Sequence, residues 1–542
     1  MNFCIKTLET NVHQKIKQEQ FEAALSLVVQ FVRDLIHDPY ATAVVFSSKR
    51  LDLLCLAIGD AVSKSLLLDI GVAKVDKYVV TILSHLECYG GHTLILEDLL
   101  RAQQDKIHIL LVTDLFNVAD AKALSDRFSP IAELRMAPLG SMLKKMEWLL
   151  EQLLRLNPER ILLLAHHEDA VVIGAIQPWL ESKVFFYHHA DHNLCLGVHL
   201  PGAFHIDPHN LGFYNCRFER SSDDNLYLPL MVEDRGMRPV NEGFLYKDSL
   251  LTCTSGTFKK FDIPYAYNYF ELIPKMLALT GGKHLHIGNL PENSLKLIHE
   301  RLVAEKVDVN RFRHIPWVPS VWSALIDNSI DLYISSFPLG GGRASIEAMG
   351  SGTPILMHES YLSRFHGGVD LAYPEVLVWR EPSEFYEKIR SIRSEALISQ
   401  SRYARQHYET YHSRRVMDKE LDNIFSGKGN LIPPVLMSYA PDVLQKYLYT
   451  RDELRNEIEA IQLTLSWRIT KPLRTLSHYI RQLIRLVKIY RNYQAIYPGF
   501  IGCLRFSCQI VHTILNGGVK ELKNKISLYE RINGERSSSE NK

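Results

Sequence analysis

No two of the eight cysteines (Cys4, Cys55, Cys88, Cys195, Cys216, Cys253, Cys503, Cys508) form a CxxC pair, which leaves neither a disulfide frame nor a cysteine-rich zinc knuckle to expect. HExxH and Asp-x-Asp are missing as well. No eighteen-residue window is apolar throughout, and the nearest, around 500–515, is broken by Arg505. The opening MNFCIKTLETNVHQK lacks the basic-then-apolar pattern of a secretion signal. An excess of one charge is also absent: 62 Lys and Arg against 61 Asp and Glu leave +1, without the basic footprint that binding nucleic acid requires. These absences predict a cytoplasmic protein that does not bind nucleic acid. At 542 residues the chain is too long for one core and predicts three or four domains or subdomains.

What is present is alternation. Residues 11–75 read as helices, as in FEAALSLVVQFVRDLI, with Pro39 closing that segment. From KYVVTILSHLE onward strands and helices take turns: KIHILLVTD, then 141–156, RILLLAHH, DAVVIGAIQPWL and KVFFYHHAD. A loop-rich middle follows, and the alternation restarts with DSLLTCTS, YFELIPKMLALTG, KHLHIGNL, ENSLKLIHERLVAEK, FRHIPWV, a short helix at 321–328, IDLYISSF and TPILMHE. Such order predicts an α/β fold with two Rossmann-like domains facing a cleft, flanked by an N-terminal helical segment and a C-terminal helical, basic tail. The expected divisions are 1–76, 77–247, 248–428 and 429–542.

The densest signal is SSFPLGGGRASIEAMGSGTPILMHES, residues 335–360. A strand running into a glycine loop that opens a helix is suited to phosphate, since glycines admit the anion and the first helical N–H groups face it. Glu347, one turn further on, cannot bind phosphate but can accept hydrogen bonds from the vicinal hydroxyls of a ribose. At the start of the same half, TSGTFKKF offers Ser255, Gly256, Lys259 and Lys260 at a strand's carboxyl end, where they can converge on the same diphosphate.

FPLGGGRASIEAMGSGTPIL resembles the donor-domain signature of GT-B glycosyltransferases, within them the O-GlcNAc-transferase-like group. That resemblance implies a nucleotide-sugar donor and no other cofactor. It further implies Gly341, Gly342, Arg343 and Ser345 near the diphosphate, Lys259 or Lys260 on it, Glu347 at the ribose, and RHIPWVP with His314 along the nucleobase. Relatives often carry a polar pair where this chain has Arg343 and Ala344. In the first half, the loop with Gly90 and Gly91 is expected to turn His92 or Thr93 toward the reacting sugar.

FFYHHADHNLCLG delivers His188, His189, Asp191 and His192 at a strand end. Histidine beside a carboxylate suits a general base, so His189, or His192 with Asp191, is expected to deprotonate the acceptor. The same histidines, with His166, His167, His199, His205 and His209, also admit a zinc reading, the lesser one because ligand spacing and a cysteine pair are missing. Without Asp-x-Asp, the expectation is transfer with no metal.

Between 464 and 528 eleven Lys and Arg face a single carboxylate, Glu521, among aromatic and aliphatic residues. A basic amphipathic helix of this kind can lie on an anionic membrane surface. SWRITKPLR (466–474) resembles a segment in the tails of bacterial enzymes that build surface polysaccharides. The leading expectation is an inverting glycosyltransferase acting on a lipid-linked glycan at the inner membrane face. A cytoplasmic protein glycosyltransferase and a non-catalytic nucleotide-sugar-binding subunit remain as alternatives.

Overall fold

The computed structural model describes residues 5–437, apart from 38–40, 42–44, 67–74, 88–90, 104, 240–242, 246–248, 264 and 362. The expected basic helix within 464–528, Pro39 and Gly90 lie outside the described residues.

Three helices open the chain: α1 (Ile5–Lys17), α2 (Phe21–Ile36) and α3 (Lys49–Ser65). In α2 the buried side chains Ala24, Leu25, Val28, Val29 and Val32 recur at helical spacing and form one apolar stripe. That stripe shares a single core with Cys55 and Ile58 of α3 and with Val80, Ile82 and Ile161 of the sheet that follows. Each buried Val, Leu or Ile among them contributes about 1.5–3 kcal/mol by burial. The helical segment is therefore a layer on the first sheet rather than a separate body.

The first sheet contains β1 (Val75–Leu83), β2 (Ile107–Val112), β3 (Glu133–Met136), β4 (Pro158–Leu164), β5 (Lys183–Tyr187), β6 (Phe204–Asp207) and β7 (Leu226–Tyr227). Their order is β3-β2-β1-β4-β5-β6-β7, with every pairing parallel. Connecting them are α4 (Gly91–Arg101), α5 (Ala121–Phe128), α6 (Met142–Leu156), α7 (Ala170–Ala175) and α8 (Asn210–Arg220). Both faces are covered, which is why β2 is buried from His108 to Val112 without alternation.

The second sheet, β8 (Leu251–Ser255), β9 (Lys283–Ile287), β10 (Phe312–Ile315), β11 (Leu332–Ile334), β12 (Ile355–His358) and β13 (Leu377–Trp379), runs β10-β9-β8-β11-β12-β13 and is again all parallel. Its helices are α9 (Tyr269–Thr280), α10 (Glu292–Ala304), α11 (Val321–Asp327), α12 (Gly342–Gly350), α13 (Arg364–Gly367) and α14 (Pro382–Ser391), followed by α15 (Ser394–Tyr411) and α16 (Arg414–Phe425). Strand order reverses between β1 and β4 and again between β8 and β11, the position where doubly wound sheets open a crevice for ligands.

The last helices tie the halves together. Ala404 and Tyr408 of α15 pack with Trp322 and Tyr333 of the second half, whereas Met417, Leu421 and Ile424 of α16 pack with Leu83 and Leu110 of the first. Asp98 on α4 takes ion pairs from Arg343 at 3.4 Å and Arg414 at 3.8 Å. Among the described residues, no helix is long and apolar enough to cross a membrane.

Two segments depart from the sequence expectation. The helix expected over DAVVIGAIQPWL stops at Ala175, because Pro178 follows and the Gln177 amide side chain caps the Gly174 carbonyl at 2.7 Å. The loop-rich middle holds β6, α8 and β7; a four-residue strand reading FHID is too short and too polar to show a period.

Candidate active site

A cavity of about 320 Å³ opens where the carboxyl ends of the two sheets meet. Its second-half wall is built by Lys260, Leu339, Gly340, Gly342 and Arg343, with Phe365, Gly368 and Leu371 beyond. Lys260 leaves the short turn after β8 and donates from Nζ to the Gly340 carbonyl at 2.6 Å. Loss of water around its ammonium lowers the Lys260 pKa to about 8, so it remains mostly a cation at neutral pH.

The three glycines do different work. A Cβ on Gly340 would stand 2.3 Å from the Gly367 carbonyl oxygen, so there the backbones themselves pack. At Gly341 and Gly342 the nearest atoms to such a Cβ are 3.5 Å or more away, Ala344 Cβ and Lys260 Nζ for one and His209 Nε2 for the other. Gly342 lines the cavity and keeps the opening of α12 bare there, with its first N–H groups and positive dipole end, whereas Gly341 is buried beside Lys260 and does not line it.

Behind the loop, Glu347 is buried and accepts the Trp322 N–H at 2.7 Å through Oε2. Burial raises its pKa, against the pull of that N–H and of Arg343. Glu347 thus ties α12 to the start of α11, next to the 313–319 segment. His314 donates from Nε2 to the Gly288 carbonyl at 2.8 Å, and the Gly256 N–H donates to Ile287 at 2.9 Å, so both are fixed to the end of β9. Glu347, His314, Ser255 and Gly256 do not line the cavity; they extend from it along the carboxyl edge of the second sheet.

The first-half wall is made largely of histidine. Gly91, His92, His189, Asp191, His192 and His209 line it. The His92 and His189 rings stack at 4.5 Å, and His192 meets His167 edge-on at 5.0 Å. Burial lowers the pKa of His92 and of His192, and brings His189 down to about 3, so all three imidazoles are neutral at pH 7. His209 differs. Its Nδ1 bonds Asp191 Oδ2 at 2.7 Å, and Nε2 is buried without a partner on the side of Gly342. Burial alone would lower its pKa, but the Asp191 carboxylate outweighs this and raises it.

No family model and no curated protein matches the chain. Among solved structures, HepE from Anabaena in complex with UDP is 13% identical and aligns over 65% of this chain and 100% of its own, with a TM-score of 0.50. The fold is GT-B. The O-GlcNAc transferase of Thermobaculum terrenum (13% identity, 80% of this chain and 83% of its own, TM-score 0.43) and MurG of Acinetobacter baumannii (12%, 65% and 99%, 0.42) are more distant.

In the GT-B frame the cavity is the cleft between the two halves, and the residues expected there divide into groups. Lys260 reaches the glycine loop; Lys259 is exposed and away from the cavity. Arg343 borders the cleft, with its guanidinium on Asp98 and on the Met231 carbonyl at 3.3 Å, a tie between the GT-B halves. Ser345 sits one turn inside α12 with its hydroxyl fully buried and unpartnered. The hydrogen bond made by Asp191 goes to His209, neither to His189 nor to His192, which corrects the expected pairing. His209 is two residues past β6, and β5 and β6 are neighbours, so the two strand ends place Asp191 and His209 side by side although 18 residues separate them. Of the expected pair His92 and Thr93, His92 faces the cavity; Thr93 is buried and bonds the Glu87 carbonyl at 2.6 Å.

Proposed function

We propose that this chain is a glycosyltransferase that moves a sugar from a nucleotide diphosphate donor, a UDP-sugar, to a hydroxyl of a lipid-linked glycan. The observation that carries the reading is the cleft itself, with Lys260 and the bare Gly342 at the opening of α12 on one wall and the Asp191–His209 pair opposite. His209 Nε2 takes the acceptor proton as that oxygen attacks the anomeric carbon; the bond from that carbon to the β-phosphate oxygen breaks, and configuration inverts. Charge gathering on the leaving diphosphate is met by Lys260 and the first amides of α12, without a metal ion. Glu347 binds the ribose hydroxyls, and the 313–319 segment borders the base. The eleven cations between 464 and 528 support an acceptor held at an anionic membrane surface.

The test is binding and hydrolysis across UDP-, GDP-, dTDP- and CMP-sugars, with Lys260→Ala and Glu347→Ala alongside. Saturable binding of one nucleotide class, weakened in both variants, is the expected result. If no nucleotide binds, or if both variants bind like the parent, the glycine loop is only a turn and the reading fails. Transfer to polypeptide rather than to lipid-linked glycan would replace the acceptor and leave the donor site standing.

A further inference from the structure

Directly behind the histidine wall, and outside the cavity lining, four side chains converge: His188 at the end of β5, His205 and Asp207 on β6, and Cys216 on α8. All are at most 2% exposed. His188 Nδ1 is 3.3 Å from Asp207 Oδ1 and 3.3 Å from Cys216 Sγ, while His205 Nε2 is 3.1 Å from the same Oδ1. All four ligand atoms lie within 4.8 Å of one another. A tetrahedral zinc ion with bonds of about 2.0–2.1 Å to nitrogen and oxygen and about 2.3 Å to sulfur sets its ligands roughly 3.3–3.7 Å apart. Three of the six separations, at 3.1–3.3 Å, are close to those of such a shell, and the others, within 4.8 Å, close onto it with small side-chain shifts.

We propose that His188, His205, Asp207 and Cys216 bind one structural zinc ion. The donor set selects the metal, since a thiolate with two imidazoles suits zinc and does not suit magnesium or calcium. Charge agrees: a divalent ion with one thiolate, one carboxylate and two neutral imidazoles is neutral, which removes the cost of burying Asp207 among Phe186 and the other rings. An outer shell is present on one side, where Asn225 Nδ2 donates to Asp207 Oδ2 at 2.7 Å and to the Phe213 carbonyl at 2.9 Å. Four protein ligands leave no open position, so the ion is a staple and takes no part in transfer. It pins β5, β6 and α8 together, and so fixes His189, one residue after His188, and His209, two residues after Asp207.

The test uses the full chain, purified without a metal-affinity column and dialysed against a weak chelator. Metal content is read by mass spectrometry and coordination by X-ray absorption at the zinc edge. One zinc per chain is expected, with one sulfur at about 2.3 Å and three nitrogen or oxygen ligands at about 2.0–2.1 Å. Cys216→Ser removes the sulfur from that shell. Asn225→Leu, which spares every ligand, weakens retention against a competing chelator by about 10–100-fold. Should Cys216→Ser fail to fold, the parent spectrum still decides. Parent protein that holds no zinc and takes none up, or zinc held without a sulfur ligand, overturns the proposal. Metal content reads the same whether or not the chain transfers a sugar.

Discussion

The Asp191–His209 pair gives the sharpest test, because charge, geometry and pH make separate predictions there. As the proposed base, His209 acts through Nε2 only while Nδ1 carries the proton that Asp191 Oδ2 accepts at 2.7 Å. Removing the imidazole with His209→Ala removes the base, a loss of about 10²–10⁴ in kcat, equivalent to about 2.7–5.4 kcal/mol of barrier. Asp191→Asn keeps the shape but offers an amide whose NH₂ can donate to Nδ1. That favours the tautomer with the proton on Nε2, which cannot act as a base. The pH profile adds a signature that structural damage does not produce. Asp191 raises the His209 pKa against burial, and transfer needs the unprotonated ring, so kcat/KM of the parent climbs with pH and levels off above that raised pKa. Without the Asp191 carboxylate the lowering effect of burial is opposed only by the more distant charge of Asp207, and the acid limb moves to lower pH. The ratio of parent to Asp191→Asn activity therefore shrinks as pH falls. Steady-state kinetics from pH 5.5 to 9, roughly the span over which a raised histidine pKa titrates, measures this with a saturating donor. If His209→Ala keeps its rate within tenfold while His189→Ala abolishes it, or if the acid limb stays in place, the assignment of the base is wrong.

Further outcomes follow from the opposite wall. Gly340→Ala pushes a methyl toward the Gly367 carbonyl and lowers stability by about 1–3 kcal/mol in urea unfolding; Gly342→Ala, with 3.5 Å to its nearest neighbour, leaves the midpoint unchanged and weakens UDP binding. In the proposed reading Lys260 meets the diphosphate as a cation, so UDP affinity measured by calorimetry is expected to fall as pH rises through about 8, with Lys260→Met weaker and flat across that range. Glu347→Ala leaves the Trp322 N–H buried without an acceptor, costing about 1–3 kcal/mol of stability, and lowers affinity for UDP while sparing pyrophosphate.

What the sequence made legible was local. The strand, the glycine loop and the carboxylate one turn later follow one another directly in the chain, so their order and local geometry can be read from spacing. The alternation of apolar strands with helices gave two doubly wound sheets for the same reason. Contacts set by strand order stayed hidden. That β5 and β6 are neighbours decides that Asp191 holds His209, and neither FFYHHADH nor FHIDPH shows it. Cys216 had no visible partner because its neighbours come from two strands, and a search by cysteine pairs passes over a lone thiol between imidazoles. The amphipathic faces of α1 to α3 announce that something covers them, yet the face covered, that of the first sheet, is a tertiary fact.

The charge pattern of the cleft bears on why so many histidines line one wall. A diphosphate leaving group gains negative charge as its bond to the sugar breaks, and favourable partners belong only on that side. Lys260 and the opening of α12 are there. Had His92, His189 and His192 been protonated at pH 7, three cations on the acceptor wall would compete for the same diphosphate and hold the donor too far from α12. Burial keeps them neutral, with His189 brought down to about 3. As neutral rings they can both donate to and accept from sugar hydroxyls, while His209 is the ring on that wall whose pKa is raised, by the carboxylate of Asp191. The wall can therefore be rich in imidazole and still assign proton transfer to one position. Replacing His189 with lysine would restore the competing charge, so His189→Lys is expected to raise KM for the donor more than it lowers kcat; a variant that changes kcat alone would count against this account of the wall.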